Sequence, residues 1–191
     1  MAKTLSRDEA LVLLHKHMKN QNLRRHCYAV ESVMRALATR FSEDENKWGV
    51  AGLLHDADYE LTKNTPNKHT RLATEWLEEI EAETDIRQAI LAHGWGYVEG
   101  NQKPITKMEW SLYCCDELTG LIVAVALVKE DKKLASVTVD SILRKWKSKA
   151  FARGVNRGQI EQCEEHLDIP LPEFIEIALL AMQKIAPELG L

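Results

Sequence analysis

Six side chains in this sequence have the types and positions to hold metal ions inside a fold: His26, the adjacent pair His55-Asp56, His69, His93 and Asp116. Hydrolysing a phosphate ester at neutral pH needs a cation that neutralises phosphoryl oxygens and makes a nucleophile of water, and that cation needs inward-facing imidazole or carboxylate ligands. His26, His55-Asp56 and Asp116 each fall in or beside an apolar stripe, where an unpartnered ionisable group costs on the order of several kcal/mol of desolvation. A bound metal would offset that cost. His69 and His93 occupy similar positions, and their nitrogens with a bridging Asp56 suit a second metal roughly 3.5 to 4 Å from the first. A lone histidine beside an apolar stripe is more often a hydrogen-bonded core residue, so spacing alone leaves both readings open.

The elements that must position these groups read as helices, because apolar residues recur at three and four throughout. Three S/T-x-x-E boxes predict helix starts, each hydroxyl capping a free amide and each glutamate reaching back: Ser6 with Glu9, Ser42 with Glu45, and Thr106 with Glu109. The first helix is expected to end near Asn20. A second, from about Leu23 to Phe41, carries Cys27, Val30, Met34 and Leu37 inward with His26 beside them. A third leads from Glu43 into Leu53-Leu54-His55-Asp56. After a turn-rich loop containing Pro66, His69 opens one helical face and His93 closes the next, before Gly94 and Gly96. A long helix is predicted from Thr106 to about Val128, with Asp116 on it. Residues 134–139 read as a loop into a helix ending near Lys149, and two more helices follow Asn156 and Pro172. The expected fold class is all-α, a single-domain helical bundle.

Composition narrows the function classes. The chain has 191 residues, 45% apolar and 28% charged, a size that suits one domain with a substantial core. A net charge of −4 argues against general attraction to nucleic acid or anionic membrane. The longest apolar run, Leu121 to Val128, stops at Lys129, short of the roughly 18 to 20 residues a membrane span takes. No secretory signal is visible at the N-terminus, which makes a cytoplasmic location the expectation. Cys114 and Cys115 are adjacent while Cys27 and Cys163 stand alone, so no C-x-x-C pair exists and all four are expected to be reduced, buried thiols. His15, His17 and His166 read as surface residues, and Trp48, Trp76, Trp110 and Trp146 as packing groups. Trp95, in a Gly-Trp-Gly turn, suits a pocket mouth.

The order His26, then His55-Asp56 within LLHDADYE, then Asp116 on a late helix resembles the HD superfamily of metal-dependent phosphohydrolases over roughly residues 20 to 130. The resemblance implies an HD-type helical bundle with a basic C-terminal extension, about residues 131–191, packed on it. By the same resemblance His26, His55, Asp56 and Asp116 bind a metal, and His69 and His93 match the two-metal branch. YCCDELTGLIVAVALV and KSKAFARGV are also similar to an HDIG-labelled group of bacterial and archaeal hydrolases. Three departures bear on the substrate. His55-Asp56 is followed by Ala57-Asp58 rather than Ile-Gly; Gly96-Tyr97 lacks the proline of the cyclic dinucleotide phosphodiesterases; and Tyr59 stands where deoxynucleotidase-like members carry an acid.

The reading that follows is a phosphohydrolase acting on a small phosphorylated metabolite, with a nucleotide or dinucleotide favoured. Asp56 would serve at the metal, and Asp58 either as an acid or base there or as a cap of the following turn. The mixed nitrogen and oxygen ligands favour Mn or Fe, allow Zn, Co or Ni, and suit Mg less. From Lys132 to Arg157 eight basic residues face one acid, Asp140, which usually means a solvated face. Lys149 and Arg153 are the two expected to reach a substrate phosphate. RNA binding there, with Trp146 and Phe151 stacking, is the weaker reading. A homodimer is compatible with the sequence. The alternative of a different class is a non-catalytic module that binds a nucleotide or a partner protein.

Overall fold

Eleven α-helices account for the architecture in the computed structural model, which describes residues 3–148 and 150–191. They are α1 Arg7–His17, α2 Gln21–Phe41, α3 Glu45–Leu54, α4 Tyr59–Thr62, α5 Arg71–Glu79 and α6 Thr84–His93. The rest are α7 Lys107–Leu127, α8 Val139–Trp146, α9 Arg157–Leu167, α10 Leu171–Lys184 and α11 Ala186–Leu189. Short 3₁₀ turns occupy Pro66–Lys68 and Leu134–Ser136. No β-strand occurs among the described residues, and an isolated bridge joins Lys3 to Ala82. The fold class is all-α.

The capping chemistry explains where most helices begin. Reciprocal boxes form at Ser6 with Glu9 and at Thr106 with Glu109, as expected, and another forms at Thr138 with Ser141. The Ser42 box does not form. Ser42 instead ends α2 in the left-handed conformation, φ 58°, and Asp44 caps α3 by accepting from the amides of Asn46 and Lys47. With so few residues between the two helices, the left-handed exit spends Ser42 on termination and leaves the cap to the carboxylate. Likewise α1 stops at His17 because Asn20 caps α2 through Asn22 and Leu23.

Packing places α2 and α7 at the centre. Cys27, Val30, Met34 and Leu37 of α2 are fully buried, against a hydrophobic cluster to which α3, α6, α7, α9 and α10 all contribute. α3 meets α2 closely at Gly52. A Cβ there would stand 3.0 Å from the Val30 carbonyl oxygen and 3.1 Å from the Glu31 Cα, so only glycine allows this approach. Near the same approach, Glu31 is buried between two arginines, 2.7 Å from Arg7 Nε and 2.9 Å from Arg35 Nε.

By length and composition α7 is apolar enough to span a bilayer, with a mean hydropathy of 1.4 over its best window, which the run-length argument overlooked. Two thirds of that window, 67%, is buried by the rest of the chain, so its apolarity is that of a core helix. The helices beyond residue 131 also pack inward, α9 on α7 and α10 on α2, α7 and α8. α8 closes at Trp146, ahead of the boundary expected near Lys149. Lys149 itself lies outside the described residues.

Candidate metal centre

The close approach of α3 to α2 delivers the first histidines to each other. His26 lies in the second turn of α2, and His55 caps the C-terminus of α3 just beyond Gly52. Asp56 follows in the turn after α3, Asp116 sits midway along α7, His93 is the last residue of α6, and His69 follows the Pro66–Lys68 turn. Segments far apart in sequence thus converge on one point at the C-terminal ends of α3 and α6.

The geometry divides around Asp56. On one side His26 Nε2 lies 2.9 Å from Asp116 Oδ1, 3.2 Å from His55 Nε2 and 3.8 Å from Asp56 Oδ2. His55 Nε2 stands 3.5 Å from Asp116 Oδ1 and 3.7 Å from Asp56 Oδ2. On the other side Asp56 Oδ1 lies 3.3 Å from His69 Nε2 and 3.5 Å from His93 Nε2. Each carboxylate oxygen of Asp56 therefore faces its own pair of histidines. Among the described residues two groups are compact enough to hold an ion: His26, His55 and Asp116, and His55, Asp56 and His93.

Each of the four histidines of the cluster is tethered by its other nitrogen. Nδ1 lies 2.8 Å from the Gly52 carbonyl oxygen for His55, 2.6 Å from that of Ile90 for His93, and 2.8 Å from Asp58 Oδ1 for His69. His26 Nδ1 lies 3.3 Å from the Thr119 hydroxyl, which itself donates to the Asp116 carbonyl oxygen. That hydroxyl has its proton committed, so it accepts from His26. Four Nδ1–H donors used in this way put the lone pair on Nε2 in the neutral rings, aimed at the carboxylates. Such outer bonds are the usual means of fixing a metal-binding imidazole. His93 Nε2 is buried and has no hydrogen-bond partner. A buried lone pair without a partner beside carboxylate oxygens is what a cation site requires, and the donors present fit a divalent metal.

The electrostatics point the same way. Burial alone would raise the Asp56 pKa, yet His55, His69, His93 and His26 hold it well below the usual carboxylate range. Asp116 is held low against burial by His26 and His55. Burial favours the neutral form of His55, but Asp56 and Asp116 outweigh it and raise the group to about 9. His69 rises likewise to about 10, against burial, through Asp56 and Asp58. Burial, with His55 and His69 nearby, keeps His93 low despite Asp56. No Lys or Arg among the described residues pairs with Asp56, Asp58 or Asp116, so positive charge here comes from imidazolium or from metal. The cluster is closed at His55 and His93, both 0% exposed, and opens toward Asp116 and His26, whose side chains are 17% and 26% exposed.

Asp58 is fully buried, and both its oxygens are spent, one on His69 and the other on the Ala73 amide at 2.9 Å, where it caps α5. These contacts match the capping role and make Asp58 the positioning partner of His69. Arg153 is exposed in the turn between α8 and α9. No ion pair or hydrogen bond of Arg153 occurs among the described residues. The turn is tied beside the cluster where the Asn156 amide donates to Glu117, the neighbour of Asp116, at 3.1 Å. Trp146 and Phe151 are part-buried and carry the Arg157 and Lys145 cations on their faces.

The three histidines expected at the surface are half-buried. His15 Nε2 lies 2.6 Å from the Tyr28 hydroxyl, His17 stacks on Trp76 at 3.6 Å, and His166 stacks on Trp110 at 3.7 Å. The flat rings of His17 and His166 cover indole faces that polar patterning could not reveal. The sequence reading also gave no role to Tyr97, which overlies His69 and approaches His93. Nor did it assign one to Thr119, although its position three residues after Asp116 was a usable signal. Trp95 packs on Trp110 and Tyr113.

Four histidines tethered through Nδ1 and a shared carboxylate thus gather around one opening in an all-α fold, an arrangement that could hold a metal ion. Residues 23–120 match the family model of the HD domain, and the chain belongs to that family. No curated protein matches the chain.

Proposed function

We propose that the protein is a metal-dependent phosphohydrolase of small phosphorylated metabolites, with nucleotides or dinucleotides as the favoured substrates. The observation that carries this reading is the division of Asp56, one oxygen toward His26 and His55 and the other toward His69 and His93. His26, His55, Asp56 and Asp116 would hold one metal, and His69 and His93 a second through the shared Asp56. The mixed donors favour Mn or Fe, with Zn, Co and Ni acceptable and Mg less suited. Metal bound there would supply Lewis acidity to a phosphoryl oxygen and bring the pKa of water toward neutrality.

The chain's own side chains supply the rest. Thr119 and Asp58 hold His26 and His69 in the ligating tautomer. Arg153, on the turn tied to Glu117, is the described cation we assign to a substrate phosphate, where its planar fork meets two oxygens. Lys149 is assigned to the same phosphate from its place in the sequence. Metal content by elemental mass spectrometry and phosphate release with Mn²⁺ or Fe²⁺ test the reading together. About two metals per chain and metal-dependent turnover that Asp56→Ala abolishes are expected. A protein that binds metal but hydrolyses no phosphate ester would instead be a binding module.

A further inference from the structure

Gly120 has no packing reason to be glycine. It lies inside α7, where glycine destabilises the helix relative to alanine. Gly49 and Gly52 are accounted for, since a Cβ at either would meet neighbouring atoms at 2.6 and 2.9 Å. At Gly120 a Cβ would meet nothing within 4 Å. What the missing side chain leaves is room in a cavity of about 490 Å³ between α2, α7 and residues 189–191. That volume lies within the roughly 300 to 1,000 Å³ typical of small-molecule sites. His26 forms one of its walls, at the side of the metal cluster that is open to solvent.

The remaining lining indicates what would fit. Ala29, Val123, Leu127 and Leu189 make it apolar, which does not suit a sugar or polyol needing many hydrogen bonds. The Arg25 side chain, exposed at the cavity, has no hydrogen bond or ion pair among the described residues. Its guanidinium lies against the backbone of Gly190, φ 73°, where a Cβ would stand 2.9 Å from Arg25 Cζ. A guanidinium plane without an acid partner is suited to stacking on a flat π-system, and the nearby Asn22 amide offers a donor and an acceptor to the edge of a ring. We infer that this cavity receives a planar heteroaromatic group on the organic side of the phosphate ester, and that Gly120 sets the size of group admitted. The inference deepens the phosphohydrolase reading and relies on it only for the ester.

Gly120→Leu would fill the cavity from α7, and Gly120→Ala serves as a folding control, expected to melt at least as high as the native chain. Hydrolysis of nucleoside monophosphates is compared with that of glycerol phosphate, which has no ring. The ratio of kcat/KM for the two esters should fall about tenfold or more in Gly120→Leu, since a filled apolar pocket discriminates on that scale. Free nucleosides, titrated by calorimetry, should bind the native protein and bind Gly120→Leu at least about tenfold more weakly. An unchanged ratio, or nucleoside affinity that Gly120→Leu leaves intact, overturns the cavity. If no ester is hydrolysed, the phosphohydrolase reading fails, and nucleoside binding still decides the cavity by itself: no binding overturns it.

Discussion

Replacing Asp58 with asparagine should separate one half of the proposed centre from the other. The native carboxylate accepts two hydrogen bonds, from His69 Nδ1 at 2.8 Å and from the Ala73 amide at 2.9 Å, in a fully buried site. An asparagine amide has one oxygen to accept with, so one of these donors must face an N–H₂ group. The backbone amide of Ala73 cannot become an acceptor, whereas His69 can, by moving its proton from Nδ1 to Nε2. That shift removes the lone pair now aimed at Asp56 Oδ1, 3.3 Å away. Loss of such a supporting contact typically weakens metal binding about 10- to 100-fold, or roughly 1.4 to 2.7 kcal/mol. Titration of metal-free Asp58→Asn with Mn²⁺, followed by calorimetry, should show a tight site at His26, His55 and Asp116 and a second site weakened by that factor. Circular dichroism should show unchanged helix. Two sites of native affinity in this variant would refute the tautomer argument, and equal weakening of both would show that Asp58 supports the cluster as a whole.

The capping correction can be checked by thermal melting, where Asp44→Ala should cost about 1 kcal/mol and Ser42→Ala clearly less. Glu31→Ala should cost about 3 kcal/mol or more, because it leaves the half-buried Arg35 without its main carboxylate and removes the link to Arg7. All four cysteines are buried and free, and burial raises their pKa values, Cys163 to about 12. A thiol reagent at neutral pH should therefore label none in the native protein and all four after denaturation; rapid native labelling would contradict the packing. The pH dependence of the metal-free protein follows from His55 and His69, raised from 6.5 to about 9 and about 10 by the carboxylates against the opposing effect of burial. A raised folded-state pKa stabilises below 6.5 and loses that contribution as pH climbs through 9 and 10. The melting temperature of metal-free protein should thus fall over this interval, while the gain on adding Mn²⁺ grows as proton competition fades. A flat metal-free profile would count against protons holding the cluster together.

Much of this was legible in the sequence, for a physical reason. Helix faces carry a period that places His26 and Asp116 beside buried stripes, and capping residues announce their purpose at Ser6 and Thr106. The limits fall where one residue serves either of two neighbours. Ser42 and Asn20 both stand between helices, and only three-dimensional closure determines which terminus each satisfies. The pairing of His69 with Asp58 was equally out of reach, because an eleven-residue separation across a short helix and a 3₁₀ turn has no period. Tyr97 and the cavity at Gly120 depend on contacts between elements distant in sequence.

The charge at the centre links fold to function. Asp56 and Asp58 are buried and Asp116 is part-buried, with no lysine or arginine paired to them among the described residues, and a carboxylate without a counter-charge is among the most expensive groups to enclose. Protons on His55 and His69 can balance that charge, but only by occupying the nitrogens that the Nδ1 tethers have turned toward the carboxylates. A divalent cation balances it with every tether intact and satisfies the orphan His93 Nε2 as well, which protonation at a group held low does not. Neutralising a buried carboxylate needs no metal where arginines are at hand, as Arg7 and Arg35 demonstrate at Glu31, elsewhere on the helix that carries His26. Two solutions to enclosed acids thus meet α2, one at Glu31 closed with guanidinium and one at His26 left with lone pairs facing an opening, and only the second leaves positions at which a substrate could be met.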